Sequence, residues 1–253
     1  MRREAYLAMA AAEDRHWWFR GRRAILQAVI GGLRLPADAK VLELGSGTGG
    51  NFAMLSRFGR VTAVELDGMA RQLSAGKTSA VTDVRAGSIP ADLPLGGQKF
   101  DLVCLFDVLE HIEDDLATLA VVRAHLAPGG SAVVTVPAFA KLYGPHDETL
   151  HHKRRYGRAE LAAKCRRAGL EVTRLSYINM LLFPAALCAR LADRLLRRRR
   201  SSGNAMPPVV LNEILAAIFG MEHYVIQVMN LPIGLSLLAV LRAADVEREK
   251  DTA

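Results

Sequence analysis

The sequence predicts an α/β fold on a mainly parallel sheet, and three observations carry that expectation. An apolar run at Val41, Leu42 and Leu44 is followed at once by a burst of glycine and then by a helical stretch from Asn51. A second apolar strand ends in acid at Glu65, about 20 residues beyond the first glycine of that turn. Short apolar runs then keep alternating with helical segments as far as Pro137, the pattern that lays parallel strands under covering helices.

A chain of 253 residues is long enough for one sizeable α/β domain with an embellishment, and one domain is expected. Cys104, Cys165 and Cys188 are widely spaced in apolar or helical contexts, which suggests neither a disulfide framework nor a zinc site and fits a reducing compartment. The net charge of +7 raises nucleic acid as a partner. The arginines cluster beside leucines rather than with exposed stacking aromatics, so nucleic acid is the lesser reading.

The stretch up to Arg23 has no apolar core long enough for a signal peptide, because Glu4, Glu13, Asp14 and several arginines interrupt it. Cytosolic synthesis is expected. His16-Trp17-Trp18-Phe19 holds both tryptophans of the chain, with Arg20, Arg22 and Arg23 directly after them. Two placements are open: a helix closing over a ligand, with Trp17 and Trp18 as walls of a substrate pocket, or a helix packed on the outside of the sheet. The helix continues through Ile25, Leu26, Val29 and Ile30 and stops at Gly31-Gly32.

The glycine turn carries the most chemistry. Gly45, Gly47 and Gly50 satisfy G-x-G-x-x-G, so a dinucleotide is one reading. Glu43, two residues ahead of Gly45, would repel a pyrophosphate but not a cofactor bearing an ammonium and a sulfonium. Glu43-Leu44-Gly45-Ser46-Gly47-Thr48-Gly49 resembles, in full, motif I of the class I S-adenosylmethionine-dependent methyltransferases, E/D-x-G-x-G-x-G. The HWWF block is similar to the opening of a group of bacterial members.

The resemblance implies S-adenosylmethionine as cofactor and a Rossmann-like sheet of seven strands, the last one antiparallel. It implies cofactor contacts from Glu43, Gly45, Ser46, Gly47, Gly49 and Asn51. An NAD(P)-dependent oxidoreductase is the alternative enzyme. A non-catalytic, membrane-docking module that binds S-adenosylmethionine is the second alternative. On this reading 1–35 is an N-terminal helical lid, 36–180 the cofactor-binding core, 181–230 a helical insertion between strands six and seven, and 231–253 the last strand and tail.

The second strand, Arg60 to Asp67, places Glu65 to accept bonds from ribose hydroxyls, with Leu66 beside it; Asp67 reads as a helix N-cap. The third strand and its loop run from Val81 to Ile89, and the resemblance puts Gly87, Ser88 and Ile89 near the adenine. Ser88 stands where many relatives carry Asp. The fourth strand, Phe100 to Phe106, runs into Asp107-Val108-Leu109-Glu110-His111, similar to the family's FD-x-V…VLEH-x-x-D block. Asp107, at the carboxyl end of a central strand, faces the sulfonium end of the cofactor or the substrate. His111, between Leu109 and Ile112, reads as a packed histidine rather than a base. A helix over 114–126 stops at LAPGG, another block of the family, and Ser131 to Val136 is the fifth strand.

The loop after Pro137 should overhang the cofactor. His146, His151 and His152 are candidate bases, Tyr156 a further catalytic candidate, and Tyr143, Arg154 and Arg155 candidates for holding an anionic substrate. His146, Asp147 and His151 would permit a metal, but no nearby cysteine or H-x-x-x-H helix supports one, and no metal is expected.

A helix from Arg158 leads to the sixth strand, Leu170 to Ile178, and Ile233 to Arg242 reads as the seventh. Roughly fifty residues lie between them, too many for a hairpin loop. Leu187, Leu191 and Leu195 recur opposite Arg190 and Arg194, the pattern of a basic amphipathic helix. Val209 to Phe219 starts a second apolar helix. A lid over the substrate pocket and a peripheral membrane contact through 181–200 both fit, with localisation in the cytoplasm or at the inner face of the membrane. A membrane span is not expected, because the longest uncharged run, Tyr224 to Leu241, is broken by Asn230, Pro232 and Gly234 and is needed as strand seven. The expected substrate is a small-molecule or lipid-linked acceptor.

Overall fold

The computed structural model describes residues 3–79, 82–188 and 206–244. Seven strands form one sheet: β1 (Lys40–Leu44), β2 (Arg60–Glu65), β3 (Thr82–Ala86), β4 (Phe100–Phe106), β5 (Leu126–Pro137), β6 (Leu170–Ile178) and β7 (Ser236–Ala243). Their order is β3-β2-β1-β4-β5-β7-β6. The pairs from β3 to β5 are parallel, and β7 runs antiparallel between β5 and β6.

Successive residues of a strand face opposite sides of the sheet, so the buried strands feed two cores. Val41, Ala63, Cys104, Val133 and Leu238 pack with Ile25, Leu26, Val29 and Ile30 of α2 (Trp17–Gly31) and with Phe219 and Ile226 of a late helix. Leu42, Leu44, Val64, Val103 and Val134 pack on the other side with Leu119, Val122, Leu161 and Cys165. Those residues lie on the helices that precede β5 and β6.

The late helix is Val209–Val228. It starts at Val209 as expected and runs for 20 residues, and β7 starts at Ser236 rather than Ile233. Nothing between Val209 and Val228 breaks a helix apart from one glycine, whereas Pro232 and Gly234 do break the run before the strand. By length and composition this helix could cross a membrane. One face is instead built into the fold: Asn212, Ala216, Phe219, Glu222 and Ile226 are buried. Asn212 accepts from the Trp17 backbone N–H at 2.9 Å, and Glu222 accepts from the Asn179 and Leu181 N–H groups at 2.6 and 2.9 Å. The later part of the insertion is therefore a helix of the α2 layer. The expected basic helix over 181–200 falls mostly outside the described residues.

The β1–β4 neighbourhood is where the strand order reverses, the position at which open α/β sheets bind ligands. Leu44 pairs with Val64, so the glycine turn leaves β1 beside Glu65 at the end of β2.

Candidate active site

A cavity of about 1480 Å³ opens at these strand ends. It exceeds the roughly 300–1,000 Å³ of an ordinary small-ligand pocket, so it has room for more than one molecule. Its two ends are built differently.

At the first end the walls are the glycine turn and the ends of β2 and β3: Gly45, Ser46, Gly47, Asn51, Glu65, Leu66, Gly87, Ser88 and Ile89 all line it. Gly45 has φ of 75°, and a Cβ there would come within 2.6 Å of Val108 Cγ2, so only glycine makes this turn without displacing its neighbour. Glu65 sits at the wall with both carboxylate oxygens engaged by the turn: Oε2 accepts from Gly47 N–H at 2.8 Å and Oε1 from Asp67 N–H at 2.9 Å. A carboxylate has further lone pairs, so it can still accept from a ligand's hydroxyls. Asp67 is the N-cap of the next helix, as expected.

Glu43 and Gly49 do not reach the cavity. Glu43 is buried behind the turn and accepts from Asn51 Nδ2 at 2.7 Å. Burial pushes its carboxyl up to about 7, against the pull of Asn51 and Arg22. Gly49 is needed for the turn itself, since at φ of 81° its Cβ would stand 2.7 Å from the Phe52 ring.

The N-terminus settles between its two placements by taking both. The apolar face of α2 packs on the sheet, while its first turns bring Trp17, Trp18, Phe19, Arg22 and Arg23 to the cavity. Arg22 stacks over Trp18, 4.5 Å from the ring centre, and pairs with Asp107. Asp107, held at φ of 56°, thus shares its charge with a guanidinium rather than meeting a ligand alone.

At the second end the wall is the segment after β5, together with the turn after Asp107. Tyr143, His146, His151 and His152 line it, and Tyr143 donates its hydroxyl to the His152 carbonyl at 2.8 Å. His152 is fixed in orientation: Asp147 Oδ1 stands 2.8 Å from His152 Nδ1 and also accepts from Arg155 Nε at 2.8 Å. Burial works to raise the Asp147 carboxyl, but the hydrogen bonds from His152 and Arg155 and the charge of Arg155 hold it well below the usual carboxylate range. His111 lies beside His152, ring centres 4.8 Å apart, and burial followed by the charge of His152 lowers it to about 4. Glu110 lines the cavity although it is fully buried, and burial and Asp107 push its carboxyl well above the ordinary range.

Two expected site residues lie elsewhere. Tyr156 is fully buried away from the cavity with its hydroxyl donating to Asp115 Oδ2 at 2.9 Å, and burial raises its phenol far beyond reach of a proton-transfer role. Arg154 binds the same Asp115 at 2.9 Å and the Glu113 carbonyl, turned away from the cavity. Arg155 does line it, but its Nε is spent on Asp147 and its NH1 on the Ala138 carbonyl, so it braces the loop. In both arginines a nearby buried carboxylate wins over an external anion. His146, Asp147 and His151, the set that would permit a metal, do not come together either, because Asp147 points at His152 and Arg155.

A family model for the methyltransferase domain matches residues 15–175. The chain belongs to this methyltransferase family. A probable S-adenosylmethionine-dependent methyltransferase of Mycolicibacterium smegmatis is 28% identical over 162 residues, which are 63% of this chain and 61% of that protein. The chain thus matches less than two thirds of that relative's length. Among solved structures, a chain from the complex of the Haloferax volcanii Trm112 methyltransferase activator with its methyltransferase superimposes with a TM-score of 0.62 at 21% identity, covering 96% of each chain. An S-adenosylmethionine-dependent methyltransferase of Clostridium acetobutylicum gives 0.55 at 13%, covering 89% of this chain and 91% of that one. These structures share the fold.

The cofactor of this methyltransferase family is S-adenosylmethionine, and the first end of the cavity fits it. Ser46 Oγ and Asn51 Oδ1 are buried at the wall with no hydrogen-bond partner. An amino-acid group supplies both a donor and an acceptor to such atoms. Glu65 would hold the ribose, and Gly87, Ser88 and Ile89 the base. The dinucleotide alternative has no comparable support.

Arg22, Glu13 and Glu110 were not singled out in the sequence. Arg22 had a readable signal, since residues 18 and 22 share a helix face and a guanidinium stacks on indole. Glu13 accepts from Thr48 Oγ1 at 2.8 Å and pairs with Lys77, tying α1 (Arg3–Ala12) and its outgoing turn to the glycine loop. Nothing local in the sequence announces that contact.

Proposed function

We propose that this chain transfers the methyl group of S-adenosylmethionine to an oxygen nucleophile on an anionic acceptor that is small or lipid-linked, with the second end of the cavity as the acceptor site. The observation that carries the reading is the Asp147–His152 pair at the cavity wall, which turns the other nitrogen of His152 away from Asp147. The bound cofactor supplies an electrophilic methyl on a sulfonium. The chain supplies position, exclusion of water and relief of the acceptor's proton. Trp17, Trp18 and Phe19 close the cavity from the side of α2, and Arg22 with Asp107 holds that wall in place. Lys141 and Arg23 are both at the cavity, and neither is paired with a carboxylate at salt-bridge distance among the described residues; they support an anionic acceptor better than Arg154 and Arg155 do.

Two features support the lipid-linked form and a peripheral membrane contact. Ala186 and Leu187, at the start of the basic insertion, line the cavity. The outer face of helix Val209–Val228 exposes Val210, Ile214, Met221, Tyr224 and Val228, one stripe at helical spacing.

The test is transfer of labelled methyl from S-adenosylmethionine into separated aqueous and lipid extracts. Label in the lipid phase that disappears with His152→Ala supports the lipid-linked reading. Label only in the aqueous phase restricts the acceptor to a small molecule, and no label in either phase, with the cofactor bound, overturns transfer.

A further inference from the structure

We propose that Glu110, His111 and His152 bind a divalent first-row transition-metal ion, of the zinc type, at the acceptor end of the cavity. What the ion does there rests on the methyl-transfer reading above; that it binds does not.

The charges around the cluster leave one carboxylate over. Arg22 is paired with Asp107, Arg155 with Asp147 and Lys153 with Glu113. Glu110 is fully buried, lines the cavity, and neither of its oxygens meets a hydrogen-bond partner from another residue. A buried carboxyl without such a partner keeps its proton, and a metal cation meeting its oxygens would displace that proton. No lysine or arginine among the described residues forms an ion pair with it at salt-bridge distance; its neighbour at that range is His152, with Nε2 at 4.0 Å from Glu110 Oε1.

The donors already converge. One ligand atom from each of Glu110, His111 and His152 lies within 4.8 Å of the other two. Ligand atoms on a tetrahedral zinc stand about 3.4 Å apart, given bonds near 2.1 Å, so side-chain rotations that draw the three together by up to about 1.4 Å close the site. His152 is prepared as a ligand: Asp147 takes Nδ1–H at 2.8 Å, which leaves the lone pair on Nε2. A carboxylate behind a histidine in this way is the usual outer support of a metal-bound imidazole. Two imidazoles and one carboxylate suit zinc, iron, cobalt or nickel better than magnesium or calcium, which prefer oxygen alone.

Three protein ligands leave a coordination position free, and the cavity is where it opens. An acceptor hydroxyl bound there ionises more readily. Its O–H bond breaks and the proton passes to His151, which lines the same wall. The oxygen's electron pair then forms the C–O bond as the S–CH3 bond breaks, and a neutral thioether leaves. In this form of the enzyme His152 is a metal ligand and Asp147 its positioning residue.

The experiment is titration of the full chain, stripped with chelator, with Zn²⁺ by calorimetry and with Co²⁺ by visible absorption, with S-adenosylhomocysteine binding measured on every variant. The expected result is one equivalent of either ion and ligand-field bands for Co²⁺. Affinity falls at least about 30-fold in each of Glu110→Gln, His111→Ala and His152→Ala, and about 10- to 100-fold in Asp147→Asn with shifted Co²⁺ bands. Retained S-adenosylhomocysteine binding shows that a variant is folded, and if Glu110→Gln is not, His152→Ala on the cavity wall decides. Substoichiometric binding, or affinity unchanged in the folded variants, overturns the site. Stoichiometric, variant-sensitive binding without methyl transfer to any acceptor upholds the site and overturns the transfer reading alone.

Discussion

The two ends of the cavity hold their ligands by different means. The cofactor end is made largely of backbone: a turn whose glycines run at positive φ, N–H groups gathered on Glu65, and strand ends in register. The acceptor end is made of side chains drawn from distant parts of the chain, with Arg22 from α2 on Asp107 and Asp147 between His152 and Arg155. A backbone site is specified by local sequence and tolerates little change. A side-chain site is specified by contacts across the fold, and its members can be exchanged while the frame stands.

That difference is open to attack at several points. The largest effect is expected from His152→Ala: transfer should fall by about 100- to 10,000-fold while S-adenosylhomocysteine affinity stays within about twofold. A parallel loss of cofactor affinity in calorimetry would merge the two ends into one. Next, Arg22→Ala leaves Asp107, part-buried at the cavity wall, without its partner. Urea denaturation should show a loss of about 3 kcal/mol, as for other buried pairs broken on one side. Glu65→Ala should weaken S-adenosylhomocysteine by about 10- to 100-fold through lost charge-assisted bonds to ribose, yet leave metal or acceptor binding at the other end unaltered.

Glu43 allows a test by pH. Its carboxyl is raised in the folded protein to about 7, so the folded state holds a proton that the unfolded state has already lost. Its contribution to stability is full below about 4.5 and declines as pH rises towards 7, by up to about 3 kcal/mol. Thermal melts of Glu43→Gln compared with the parent should lack that decline; parallel pH curves would show that the carboxylate is ionised throughout. The smallest effect belongs to the outer stripe of helix Val209–Val228. Tyr224→Ser, at a side chain 68% exposed, should change stability by no more than about 0.5 kcal/mol while reducing sedimentation with anionic vesicles.

Much of the cofactor end was legible because its signals are local. The apolar run before Gly45 and the acid at Glu65 follow from strand geometry and the length of one βαβ unit. Glu43 and Gly49 of the glycine motif stand behind the cavity wall, since a motif records which residues recur and not whether each lines the site or braces what does. The loop after β5 was recognisable as a place for chemistry, but roles within it were not. His152 could be separated from Tyr156 only when Asp147 and Asp115 were seen to compete for different neighbours. The same competition turned Arg154 to Asp115 and set Arg155 Nε on Asp147.

The sequence by itself determined the class of fold and the edge of the sheet where the cavity opens, because hydrophobic period and turn chemistry act over a few residues, while the kind of cofactor came from the resemblance of Glu43 to Gly49 to a family motif. The tertiary structure alone decided which charges cancel and which remain. Arg22 meets Asp107 across 85 residues, Asn212 meets the start of α2 across 195, and Glu110 is left buried with no hydrogen bond to its oxygens from another residue. Such pairings depend on which helices the sheet brings together, and no local pattern encodes them.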